Sequence, residues 1–167
     1  MSNLFNLVGG WGESVIKTEI MRPINVAAFK GYPRFPFMPI FLGEKAETFD
    51  FIVYLLGLDE RAAGPYFFLQ VKSTETVSGK KSCPAPVSRE DVTRAVAFKS
   101  PSFVVAADLT PVPAKLYIRG ISNNRTSGIS SINKKSDLSI DAVKVSVYDE
   151  VAKFHSKRSG KFISKVK

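Results

Sequence analysis

The chain has 167 residues, 44% of them hydrophobic and 23% charged, which suits one globular domain with a core of its own. A formal charge of +9, from 24 Lys and Arg against 15 Asp and Glu, favours a polyanionic partner through counterion release and steering. One cysteine excludes a disulfide framework and a cysteine-rich zinc site, and a lone histidine, His155 in a basic tail, nearly rules out His-based metal centres and Ser-His-Asp chemistry.

In chain order, Gly10 to Met21 carries Trp11, Val15, Ile16 and Ile20 at near-helical spacing and ends before Pro23, which predicts a first helix. Ile24 to Phe29 reads as a strand. Lys30 to Glu47, where Pro33, Pro36 and Pro39 alternate with aromatic residues, reads as a long irregular loop. An apolar strand follows from Phe49 through Asp50 to Leu56, then a turn over Gly57 to Pro65, then a strand from Tyr66 to about Ser73. Thr74 to Pro86, with Lys80, Lys81 and Cys83, reads as a mobile polar loop. Ser88 is a good N-cap, with Glu90 and Asp91 in the first turn of a second helix that stops near Pro101.

Ser102 to Ala107 and Ala114 to Arg119 read as buried strands, and Ser122 to Ser136 as a Ser- and Asn-rich loop. Ile140 to His155 predicts a last helix, although Val143 to Val147 also alternates like a strand. From Lys153 to Lys167 there are six Lys or Arg and no acid, which reads as a frayed tail or a phosphate-contacting arm. The fold class expected is α/β, a mixed sheet flanked by helices in one domain. No run approaches the ~18 apolar residues that cross a bilayer, and Leu4 to Val8 lacks the basic flank of a signal peptide. A soluble cytoplasmic protein without a membrane partner is therefore expected.

The most informative stretch is Tyr66-Phe67-Phe68-Leu69-Gln70-Val71-Lys72-Ser73-Thr74. Residues two apart on a strand share a face, so Gln70 and Lys72 leave an otherwise apolar element together. A buried ammonium without a partner costs several kcal/mol or neutralises itself, so something anionic should face the pair. Asp50, at the start of the preceding strand, is the nearest candidate. Phosphodiester hydrolysis needs a divalent metal held by oxygen donors, and a cation that stabilises developing charge or orients the attacking water. Asp50 supplies a carboxylate, Gln70 an amide oxygen and Lys72 the cation. Mg²⁺ or Mn²⁺ keeps several waters, so one or two carboxylates suffice. A further acid could come from the first helix, which offers Glu13 and Glu19.

Gly12-Glu13 in that helix, Asp50 on the second hairpin strand and Gln70-Val71-Lys72 on the third resemble the PD-(D/E)XK nuclease superfamily. The order helix, three strands, helix, strand is also that superfamily's core order. The match is nearest to a bacterial branch known only as a domain of unknown function. That branch has a Q-V-K-S-T-like strand, then a helix introduced like Val87-Ser88-Arg89-Glu90-Asp91-Val92, then a strand like Pro101-Ser102-Phe103-Val104-Val105. The resemblance spans residues 9 to 120, so 1–120 is expected to form the nuclease-like core and 121–167 a polar loop, helix and basic tail of the same domain.

The resemblance implies a restriction-endonuclease-like fold and a Mg²⁺- or Mn²⁺-dependent endonuclease acting on nucleic acid, DNA first, in bacterial or phage-related defence. A homodimer would cut both strands. Glu13, Asp50 and Gln70 map to metal-ligand positions and Lys72 to the catalytic lysine. The family spacing favours Glu13 over Glu19. Two departures stand out. Gln70 occupies the position of an acid, and Thr48-Phe49-Asp50 stands where the family has Gly-x-Asp. The rival expectations are a catalytically inactive module of the same fold that binds nucleic acid or a protein, and a structural subunit of a larger assembly.

Overall fold

The structure, a computed structural model, describes residues 2–43, 47–75, 81–157 and 161–166, with side chains from residue 7 onward. Ten elements follow in order: α1 (Ser2–Met21), β1 (Phe37–Phe41), β2 (Phe51–Leu56), β3 (Ala62–Thr74), β4 (Ser82–Val87), α2 (Arg89–Ala97), β5 (Ser102–Asp108), β6 (Lys115–Gly120), β7 (Ile129–Asn133) and α3 (Asp141–Ser156). Five strands make a mixed sheet in the order β1-β2-β3-β5-β6, and β4 pairs with β7 in a second, two-stranded sheet. Neighbours in the large sheet are antiparallel except β3 and β5, which run parallel from Phe68↔Ser102 to Thr74↔Asp108. The crossover that a parallel pair demands carries β4 and α2.

Strand alternation sorts the core into two layers. Odd-numbered residues Phe67, Leu69, Phe103, Val105 and Ala107 join Ile16 and Ile20 of α1 and Val147 and Val151 of α3. Even-numbered Val104 and Ala106 pack with Val92 and Ala95 of α2 and with the inward residues of β4 and β7. β5 lies between the layers and is buried along its whole length, which is why it reads as an unbroken apolar run.

The helices and central strands lie where the sequence predicts them, with corrections elsewhere. Residues 24–29 are turn, not strand: Asn25 Oδ1 accepts the Ala27 N–H, and Asn25 O accepts those of Ala28 and Phe29. The first strand is instead β1, inside the Pro-rich stretch. It is an edge strand, where Pro39 opposite Val53 costs no central ladder bond. β4 occupies part of the expected loop 74–86, of which residues 76–80, Lys80 among them, lie outside the described residues. Cys83 is buried in β4 rather than sitting on a surface loop. β7 interrupts the Ser-rich stretch 122–136.

α1 is helical from Ser2, eight residues before the expected start at Gly10, and Trp11 faces outward at 61% exposure. Val143 to Val147 belong to α3, not to a strand. The tail is docked along β6 rather than frayed over residues 161–166. Gly120 N–H donates to Val166 O (3.1 Å), Asn123 N–H donates to Phe162 O (2.7 Å), and both Phe162 and Val166 are buried. No described helix is long and apolar enough to cross a membrane.

Candidate active site

β3 has partners on both sides only over part of its length. β2 follows it from Ala62 to Leu69 and then stops, while β5 continues to Thr74. Asp50 stands at the point of divergence. Its own N–H donates to Leu69 O (2.9 Å), and its Oδ2 accepts the Val71 N–H at 2.6 Å, in place of the carbonyl that a longer β2 would offer. The result is a notch flanked by Asp50 on one side and by the end of β3 on the other.

Gln70 and Lys72 share the even-numbered face of β3, as their spacing predicts. Gln70 is only 7% exposed, and its side chain makes no hydrogen bond to the described residues. Among the described residues the buried side-chain polar atoms without a partner are Ser73 Oγ and Asn123 Oδ1, so the Gln70 amide carries no cost of uncompensated burial. Burial pushes the Asp50 carboxyl above the usual carboxylate range, while the Val71 N–H and the nearby Lys72 charge pull it back only in part. A half-buried carboxylate held at that cost gains from a cation. Asp50, Gln70 and Lys72 are thus brought together.

The helix acids are positioned differently. α1 packs on the odd-numbered face, opposite Gln70 and Lys72, and comes closest to the sheet at Gly12. A Cβ on Gly12 would lie 1.8 Å from Ser73 Oγ and 3.0 Å from Ser73 Cβ, so only glycine allows that approach. Half-buried Glu13 follows directly, beside the C-terminal end of β3. To share a ligand with Asp50 it must reach round that end of the strand. Glu19 is occupied elsewhere, with its Oε1 2.7 Å from Arg22 Nε and 3.2 Å from Lys144 Nζ.

Sequence reasoning passes over two features near the notch. Asp108, two residues beyond Ala106 on the even-numbered face of β5, is 3% exposed. Its Oδ1 accepts the Thr110 N–H (3.2 Å) and hydroxyl (2.5 Å), and its Oδ2 lies 3.8 Å from Lys134 Nζ, so it anchors the β5–β6 turn. The second feature is an aromatic cluster. Phe49 stacks on Phe68 with centroids 4.8 Å apart, and Phe98 packs against both at 5.2 and 5.1 Å. The Asp-x-Thr spacing of Asp108 and Thr110 could have signalled the turn. Nothing in sequence links Phe98 to Phe49.

The donors suit a hard cation with a thin protein shell. Asp50 keeps one oxygen beyond its bond to Val71 and Gln70 has an amide oxygen, and these are the groups that would hold a Mg²⁺ or Mn²⁺ ion, which needs few protein ligands. Among the described residues no three His, Cys, Asp or Glu side chains cluster as a metal cage would require. No family model, curated protein or solved structure matches the chain.

Proposed function

We propose that the chain is a Mg²⁺- or Mn²⁺-dependent endonuclease of restriction-endonuclease-like fold, hydrolysing a phosphodiester bond of nucleic acid. The observation that carries this reading is the meeting of Asp50, Gln70 and Lys72 in the notch where β2 leaves β3. The element order α1, β1, β2, β3, α2, β5, with β4 inserted before α2, supports it as close to the order the resemblance implies. When bound, the metal supplies an activated water and neutralises phosphoryl charge. Asp50 and Gln70 would hold it, with Glu13 contributing from α1. The Val71 N–H fixes the Asp50 carboxylate, and Lys72 donates to the scissile phosphate or orients the attacking water.

The test is cleavage of plasmid, single-stranded DNA and RNA with Mg²⁺ or Mn²⁺. The wild type should cut at least one. Lys72→Ala should lower the rate by about 10²–10³, as expected for removing one preorganised donor. A wild type that cuts none of them overturns the catalytic reading. The second reading, a non-catalytic nucleic-acid-binding module, is favoured by the sparse set of carboxylates and by Gln70 at the acid position. It expects affinity that depends on salt and not on metal.

A further inference from the structure

The aromatic cluster opens into a groove of about 620 Å³ between the end of α2 and the residues leading into β2. Phe49, Phe68 and Phe98 form its floor together with Leu42, and Phe98 is 52% exposed. The polar groups on its walls are Thr48, Glu47 and Arg94. Such a site, an apolar floor with a few donors and acceptors at the rim, is typical of small flat ligands.

Position narrows the occupant. Phe49 immediately precedes Asp50 in the chain, and Phe68 precedes Gln70 on the same face of β3. One same-face step along a strand is about 7 Å. That is the reach from a phosphate to the base of its own nucleotide. A phosphate held beside Asp50 and Gln70 would therefore leave its base over Phe68 and Phe98, with Lys72 one further same-face step along β3. Glu47 is an acceptor on the groove wall for a base's hydrogen-bonding edge, beside Arg94, whose guanidinium already pairs with Glu90 at 2.5 Å. A base inside a duplex is stacked between its neighbours and cannot lie on a protein ring, whereas an unpaired base can.

We propose that this groove stacks an unpaired nucleobase next to the scissile phosphate, so that the substrate is single-stranded or locally unpaired nucleic acid. The proposal deepens the nuclease reading and rests on it for the position of the phosphate.

Binding of the intact protein to a fluorescein-labelled single-stranded oligodeoxynucleotide and to its duplex, without divalent metal, tests it. Single strand should bind more tightly than duplex. Phe98→Ala should weaken single-strand binding between about fivefold and a hundredfold, the range for losing one base–aromatic stack, and leave duplex binding unchanged. Phe98→Tyr should retain the wild-type affinity. 2-Aminopurine in the strand should be quenched by wild type and not by Phe98→Ala. If Phe98→Ala unfolds, Ala97→Gln, which adds bulk to the groove from an exposed position, should give the same loss. A folded Phe98→Ala or Ala97→Gln that binds single strand like wild type overturns the proposal, and so does a preference for duplex. Phe98-dependent binding without any metal-dependent cleavage overturns the nuclease reading and leaves the groove standing.

Discussion

Asp50 carries a charge that the fold would rather not bury. Its folded carboxyl titrates above the unfolded value, so the folded chain holds this proton more tightly. Stability contributed by the protonated form is then lost as pH rises from the unfolded carboxyl range through Asp50's own. At neutral pH the charge is a net cost. Asn at this position keeps an oxygen for the Val71 N–H and removes the charge. Asp50→Asn should therefore melt a few degrees higher than wild type at pH 7 and lose that advantage near pH 4, while cleavage disappears. Thermal unfolding across this range checks it, and a variant that melts lower at pH 7 contradicts it.

Gln70 and Lys72 were legible because period-two alternation fixes their common face, and Asp50 because a hairpin returns it to the same strand. The aromatic floor was not legible, since Phe49, Phe68 and Phe98 come from three elements and no local pattern joins them.

Between elements, the strongest polar link is Lys144 of α3, fully buried. Its ammonium donates to the Glu19 and Arg22 carbonyls at the C-terminal end of α1, the latter at 3.1 Å, and lies 3.2 Å from the Glu19 carboxylate. It occupies the end of the helix dipole where a cation is favoured. Burial brings its pKa down to about 8 against the opposing pull of Glu19. Between pH 8 and the ordinary lysine range near 10.5, the unfolded chain binds a proton that the folded chain does not, so this group makes stability rise with pH there. Denaturant titrations of wild type and Lys144→Met should diverge upward in wild type across that window. Buried Cys83, raised to about 11, acts in the opposite sense in both proteins and cancels in the difference.

The elements hidden from sequence share a cause. β1 and β4 contain proline at edge positions or beside a bulge, and β7 buries Ile129 and Ile132, three apart, so none shows the proline-free alternation that marks a strand.

At the scale of the molecule, part of the positive charge lies away from the notch. Lys153 and Lys157 border a concavity along α3 that Asp149 and Glu150 share, on the side of the sheet opposite Gln70 and Lys72. Nucleic acid seated in the notch should not feel them as contacts. Affinity for a single strand should fall linearly with log salt, by about 0.7 for each phosphate neutralised. Lys72→Ala should reduce that slope by close to one contact, and Lys153→Gln with Lys157→Gln should leave it unchanged. An equal loss from the α3 pair would move the binding face to the other side of the protein.

The spacing between α1 and the sheet is fixed by an absent methyl. At Gly12 there is no side chain, and Ser73 fills the room. Any larger residue would act as a shim under the helix, tilting it outward and carrying Glu13 away from the notch while Asp50, Gln70 and Lys72 stayed where β3 holds them. One hydrogen atom in place of a carbon thus gauges how far apart two surfaces of the protein stand.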